Sequence, residues 1–84
     1  MSNYIISLAL TYFKEKKENY IISELMEILG YNSEQIDSLI ANLMQNEYIK
    51  YVDDLLTITC KGIIFLISNN HADLIVQTDD LKMP

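Results

Sequence analysis

The chain has 84 residues, 50% of them hydrophobic, with 12 acids against 6 bases and a formal net charge of −6 at pH 7. That length allows one small domain whose modest core gains from burial against a partner subunit. The hydrophobic share excludes a disordered acidic tail, and no apolar run approaches the roughly 18 residues needed to cross a membrane.

The N-terminal stretch "MSNYIISLAL" has no basic region ahead of its apolar residues, so it is not expected to be a secretory signal. Helical spacing runs from Asn3 to about Glu18, with Ser2 or Asn3 as cap. Ile5, Leu8, Ala9 and Tyr12 form one apolar stripe and Ile6, Leu10 and Phe13 a second, leaving a narrow polar strip of Ser7, Thr11 and Lys14. Either the two stripes cover a small core from two sides or the second meets another subunit. The breadth of the apolar surface favours the subunit contact.

"NYIIS" follows as a short extended piece, with two β-branched residues in a row. Ser23 is the expected cap of a second helix, "ELMEILG". Glu24 and Glu27 sit in its first turns, where the helix dipole favours acids, and Leu25, Ile28 and Leu29 face inward. Gly30 is the expected stop, since it tolerates a left-handed backbone.

After the turn "YNS", Asn32 or Ser33 caps a third helix, and Asn32 with Gln35 has the spacing of a capping box. Ile36, Leu39, Ile40, Leu43 and Met44 recur at i, i+3, i+4, i+7 and i+8, giving one clean inward face. Glu34, Gln35, Ser38, Asn42 and Gln45 occupy the other face. Met44 is read as core filler.

The period then changes. "YIKYV" and "LLTIT" flank Asp53–Asp54 as two strands of a hairpin. Asp tolerates positive φ less well than Gly, so a turn longer than two residues stays open. Thr59 caps a last helix, "CKGIIFLIS", apolar on every side at Ile63, Ile64, Phe65, Leu66 and Ile67, and Asn69–Asn70 ends it. The tail "HADLIVQTDDLKMP" has no clear assignment: "DLIVQ" reads equally as strand, helix continuation or ordered arm.

This order of elements resembles the winged helix-turn-helix superfamily, widespread among bacterial and archaeal transcriptional regulators. "ISELMEILGYNSEQIDSLIANLMQNEYI" resembles its helix-turn-helix, "YIKYVDDLLTIT" its wing, and "ITCKG" its Leu-Thr-x-x-Gly junction between wing and last helix. The likeness covers about residues 3 to 68. It implies a mainly α domain over residues 1–70 with a small β-hairpin, followed by a separate tail over 71–84. It further implies DNA-reading positions at Glu34, Gln35, Ser38, Asn42 and Gln45 on the recognition helix, and at Lys50, Tyr51, Asp53 and Asp54 on the wing.

The charge pattern runs against that implied activity. All bases are lysines, and none lies from Glu18 through Ile49, a span that holds Glu18, Glu24, Glu27, Glu34, Asp37 and Glu47. Affinity for nucleic acid comes largely from cations that displace counterions from phosphates. Two aspartates at a wing tip would instead be repelled, each by about 1 kcal/mol at ~15 Å and an effective dielectric of ~20. Gln and Asn can still pair with adenine edges.

Other chemistries find little footing. His71 is the only histidine and Cys60 the only cysteine, so no cluster has metal-ligand spacing and no internal disulfide can form. A reducing cytoplasm is the expected setting. The two glycines, Gly30 and Gly62, make no phosphate-binding loop. No cofactor and no catalytic activity are expected. Cys60, next to Lys61 at the start of a helix, has a setting that can activate a thiol, although a packed, inert cysteine is the simpler reading. The expected protein is therefore a small acidic regulator or adaptor acting through protein–protein contacts, dimerising through Ile6, Leu10, Phe13, Ile64, Phe65 and Ile67. The alternative is a DNA-binding regulator using helix 33–45 and the 50–59 wing.

Overall fold

The computed structural model describes residues 2–69. The expected tail over 71–84, its "DLIVQ" segment, His71 and the helix end at Asn70 lie outside the described residues. Helix α1 spans Asn3–Lys16, followed by a 3-10 turn at Lys17–Asn19. Helices α2 and α3 span Ile22–Leu29 and Ser33–Gln45, strands β1 and β2 span Ile49–Val52 and Leu55–Ile58, and α4 spans Cys60–Asn69. The chain is thus mainly helical with one small antiparallel hairpin.

The Ser2 side chain caps α1, accepting from the Ile5 N–H at 3.2 Å. The core side of this helix is the expected second stripe, Ile6, Leu10 and Phe13, joined by Ala9 of the first. Tyr12 and Ser7 are also buried, so Ser7 does not belong to a solvated strip. Phe13 is the largest fully buried side chain and meets Tyr20 edge-on, with ring centroids 5.2 Å apart.

Helix α2 begins two residues earlier than its sequence suggests. Its N-cap is Ile21, not Ser23, and no side chain of the cap closes it. The closure comes from α1 instead. The Ile21 N–H donates to the Tyr12 hydroxyl at 2.9 Å, and that hydroxyl donates to Glu24 Oε1 at 2.6 Å. Of the expected extended piece "NYIIS" only Tyr20 and Ile21 are extended; Asn19 ends the 3-10 turn, and Ile22 and Ser23 already belong to α2. Tyr20 reaches the hairpin through its side chain, whose hydroxyl accepts from the Leu56 N–H at 3.0 Å. Leu25 is buried and Leu29 half-buried, but Ile28 is 54% exposed and does not face inward. Gly30 ends the helix at φ 70°, the left-handed conformation expected of it.

The α3 cap forms as the sequence indicates. The Asn32 side chain accepts from the Gln35 N–H at 2.9 Å, and Gln35 Oε1 accepts from the Asn32 N–H at 2.9 Å. Ile36, Leu39 and Leu43 are buried and Ile40 is half-buried, whereas Met44 is exposed rather than core.

The hairpin pairs Val52 with Leu55 and Ile49 with Ile58. Its turn is therefore two residues long. Asp53 and Asp54 both have positive φ, 52° and 67°, the primed geometry that suits hairpin twist. Thr59 joins hairpin to α4. Its hydroxyl accepts from the Gly62 N–H at 3.0 Å and donates to the Glu47 carbonyl at 2.6 Å, while its N–H donates to the Tyr48 carbonyl at 2.9 Å. A β-carbon on Gly62 would run into that same Tyr48 carbonyl oxygen and lie 2.7 Å from Ile58 Cγ1. Glycine is required here by close approach, not by backbone conformation.

Candidate interaction surface

The outward face of α3 holds Glu34, Gln35, Ser38 and Gln45 exposed, with Asn42 half-buried. Of its three amide side chains with the chemistry to read adenine, Gln35 and Asn42 are engaged in internal hydrogen bonds and Gln45 is exposed and makes none among the described residues. Gln35 Oε1 is held by the Asn32 N–H, and Asn42 Oδ1 accepts from Asn46 Nδ2 at 3.2 Å. A bidentate adenine contact needs the amide oxygen as acceptor and the amide nitrogen as donor together, and the internal bonds fix the orientation of the Gln35 and Asn42 amides and take up one of the two lone pairs on each oxygen.

The hairpin positions Lys50, Tyr51, Asp53 and Asp54 are all exposed. Lys50 pairs across the hairpin with Thr57 and Tyr51 with Leu56, which puts their side chains on opposite faces. The two aspartates form the tip. Lys61 is exposed too, but it lies 3.5 Å from Glu47 Oε1, which offsets its charge locally. Cys60 is a free, exposed thiol at the start of α4.

The expected self-association surface divides. Ile6, Leu10 and Phe13 sit in the chain's own core, Leu10 and Phe13 at 0% and 1% exposure. They present nothing to a second copy, because a core this small takes α1 from both sides. Phe65 is half-buried against Tyr48, with ring centroids 4.8 Å apart. Only Ile64 and Ile67, 61% and 52% exposed, remain on the surface.

Tyr31 is not among the DNA-reading positions or the apolar stripes read from the sequence, yet it lines one groove of about 390 Å³ with Glu34, Gln35 and Ser38. It lines a second, of about 670 Å³, with Ile21, Glu24, Met26 and Glu27. The available signal was its place just before the Asn32 cap, where an apolar residue commonly packs back against the helix. In the same region, burial and the hydrogen bond to Glu24 raise the Tyr12 hydroxyl above its ordinary pKa of 10.0.

Among the described residues, no group of three or more His, Cys, Asp or Glu side chains is placed to hold a metal ion. No helix among them is long and apolar enough to cross a membrane. In comparisons with protein-family models, curated proteins and solved structures, none matches this chain.

Proposed function

We propose that this chain is a winged helix-turn-helix module acting as an adaptor or regulator through protein–protein contacts, with no catalytic chemistry of its own. The element order supports the winged-helix reading, with α2 and α3 as the helix-turn-helix and β1–β2 as the wing. So does Gly62, packed against the Tyr48 carbonyl at the junction of hairpin and last helix.

One observation carries the functional half. The face that would dock on a duplex has no cation on α3, two aspartates at the hairpin tip with Lys50 as the one exposed cation of the strands, and two of its three amide readers, Gln35 and Asn42, bonded internally. Phosphate contacts supply most non-specific affinity and fix register for base reading, and this face offers little to make them. Self-association through Ile64 and Ile67 of α4 belongs to the same reading. The test is an anisotropy titration of a labelled random duplex at low salt. Weak or absent binding is expected, whereas tight binding that falls steeply with added salt would make the chain a DNA-binding regulator instead.

A further inference from the structure

The outer side of α2 departs from two local stability rules and carries one exposed aliphatic. Ile21 occupies an N-cap position that favours Ser, Thr, Asp or Asn, and is 57% exposed. Because α2 starts two residues early, Glu27 lies in its last turn and not in the first turns expected, and there the negative end of the helix dipole disfavours an acid. Ile28 is an exposed aliphatic on the same helix. Places where local choices run against stability are where function is expected to override it.

Ile21 and Glu27 border a continuous surface. Tyr31 is shared by the groove that holds Ile21, Glu24 and Glu27 and the groove that holds Glu34. Neither groove is lined by a cation. Lys16 approaches Glu24 at 3.9 Å from α1, with both side chains nearly half exposed, a pairing that solvent screens. Both depressions are shallow and open; a surface of one sign of charge attracts ligands of the opposite sign, and its exposed aliphatic and aromatic side chains supply a seat for an apolar anchor.

We propose that the α2–α3 groove, from Ile21 through Tyr31 to Glu34, docks a basic segment of another protein: Lys or Arg side chains flanking an apolar residue that seats against Ile21 and Tyr31. This rests on the interaction-module reading and names its surface. The sign of the groove disfavours nucleic acid. A second copy fits poorly, because the chain is net acidic and Lys14, Lys16 and Lys17 are interleaved with Glu15 and Glu18.

The test is an NMR titration of the ¹⁵N-labelled full chain at low salt with a short peptide of repeating Lys-Leu-Lys-Lys-Leu. A Lys/Ser peptide of equal charge is the control. Expected are shifts concentrated on Ile21, Glu24, Tyr31 and Gln35, and about tenfold weaker binding of the Lys/Ser peptide, since a buried Leu side chain is worth about that factor. Glu27→Lys should weaken the Lys/Leu peptide severalfold, and Ile21→Ser should remove its advantage over Lys/Ser. Glu27→Lys suits a helix C-terminus, so its melting temperature should not fall, which separates lost binding from lost fold. Equal affinities for the two peptides, or shifts centred on another surface and indifferent to Glu27→Lys, would overturn the groove assignment. That failure leaves the module reading standing, whereas tight salt-sensitive duplex binding through α3 would remove the reading itself.

Discussion

Substituting Gly62 by Ala tests how the last helix is joined to the hairpin. In an open helix this change stabilises by about 1 kcal/mol, because Ala has the higher helix propensity. Here the added methyl meets the Tyr48 carbonyl oxygen and comes within 2.7 Å of Ile58 Cγ1. The carbonyl is backbone and cannot swing aside like the end of a side chain. It also accepts from the Thr59 N–H at 2.9 Å and lies 3.1 Å from the Thr59 hydroxyl. Forced overpacking costs about 1–3 kcal/mol, and each loosened hydrogen bond about 0.5–1.5 kcal/mol more. The clash outweighs the propensity gain, for a net loss of roughly 1–3 kcal/mol. In a domain this small each kcal/mol moves the melting temperature by roughly 4–8 °C. Urea unfolding followed by circular dichroism reads the change directly. A Gly62→Ala protein as stable as the parent, or more so, would refute the close-approach reasoning.

Phe13→Ala should cost about 3–5 kcal/mol of unfolding free energy through the cavity it leaves, because Phe13 is 1% exposed in the core. Loss of self-association with stability intact would return Phe13 to an interface. Ile64→Glu should change stability little and weaken self-association through α4; an unchanged sedimentation profile at high micromolar concentration would show that this face joins no second copy. Tyr12→Phe removes the acceptor for the Ile21 N–H and should cost about 1–3 kcal/mol at neutral pH. Because the folded-state pKa of Tyr12 is raised above 10.0, the folded chain holds that proton more tightly than the unfolded one. Its contribution is therefore complete below about pH 10 and is lost as pH climbs through the folded-state pKa. Unfolding free energies from pH 9 to 11 should fall more steeply for the parent than for Tyr12→Phe, and equal slopes would contradict the assigned environment.

The parts of the fold that local chemistry decides could be read from the residues alone. Asn32 and Gln35 form their capping box, Gly30 ends α2, and Asp53–Asp54 turns the hairpin. What could not be read depends on distant contacts. Ser23 has the side chain of a cap, but the Tyr12 hydroxyl, nine residues before Ile21, closes the helix two residues earlier. Ile28 fits an inward period and Phe13 an outward one. Which of the two is buried depends on where α1 meets the rest of the core, and periodicity within one helix does not record that. The candidate site followed the same division. The absence of any cation on α3 was visible in the sequence, but the joining of Tyr31 to Ile21, Glu24 and Glu27 required the α2–α3 turn in three dimensions.

The most direct measurement of the proposed function compares the parent chain with a Ser38→Lys/Gln45→Lys variant in one duplex titration across several salt concentrations. Both positions are exposed on α3, and neither takes part in the Asn32–Gln35 cap. The parent is expected to bind weakly or not at all, and the variant to gain affinity with a salt dependence steeper by about two phosphate contacts. Tight binding by the parent, abolished by Asn42→Ala, would make α3 a reader of DNA and contradict the proposal.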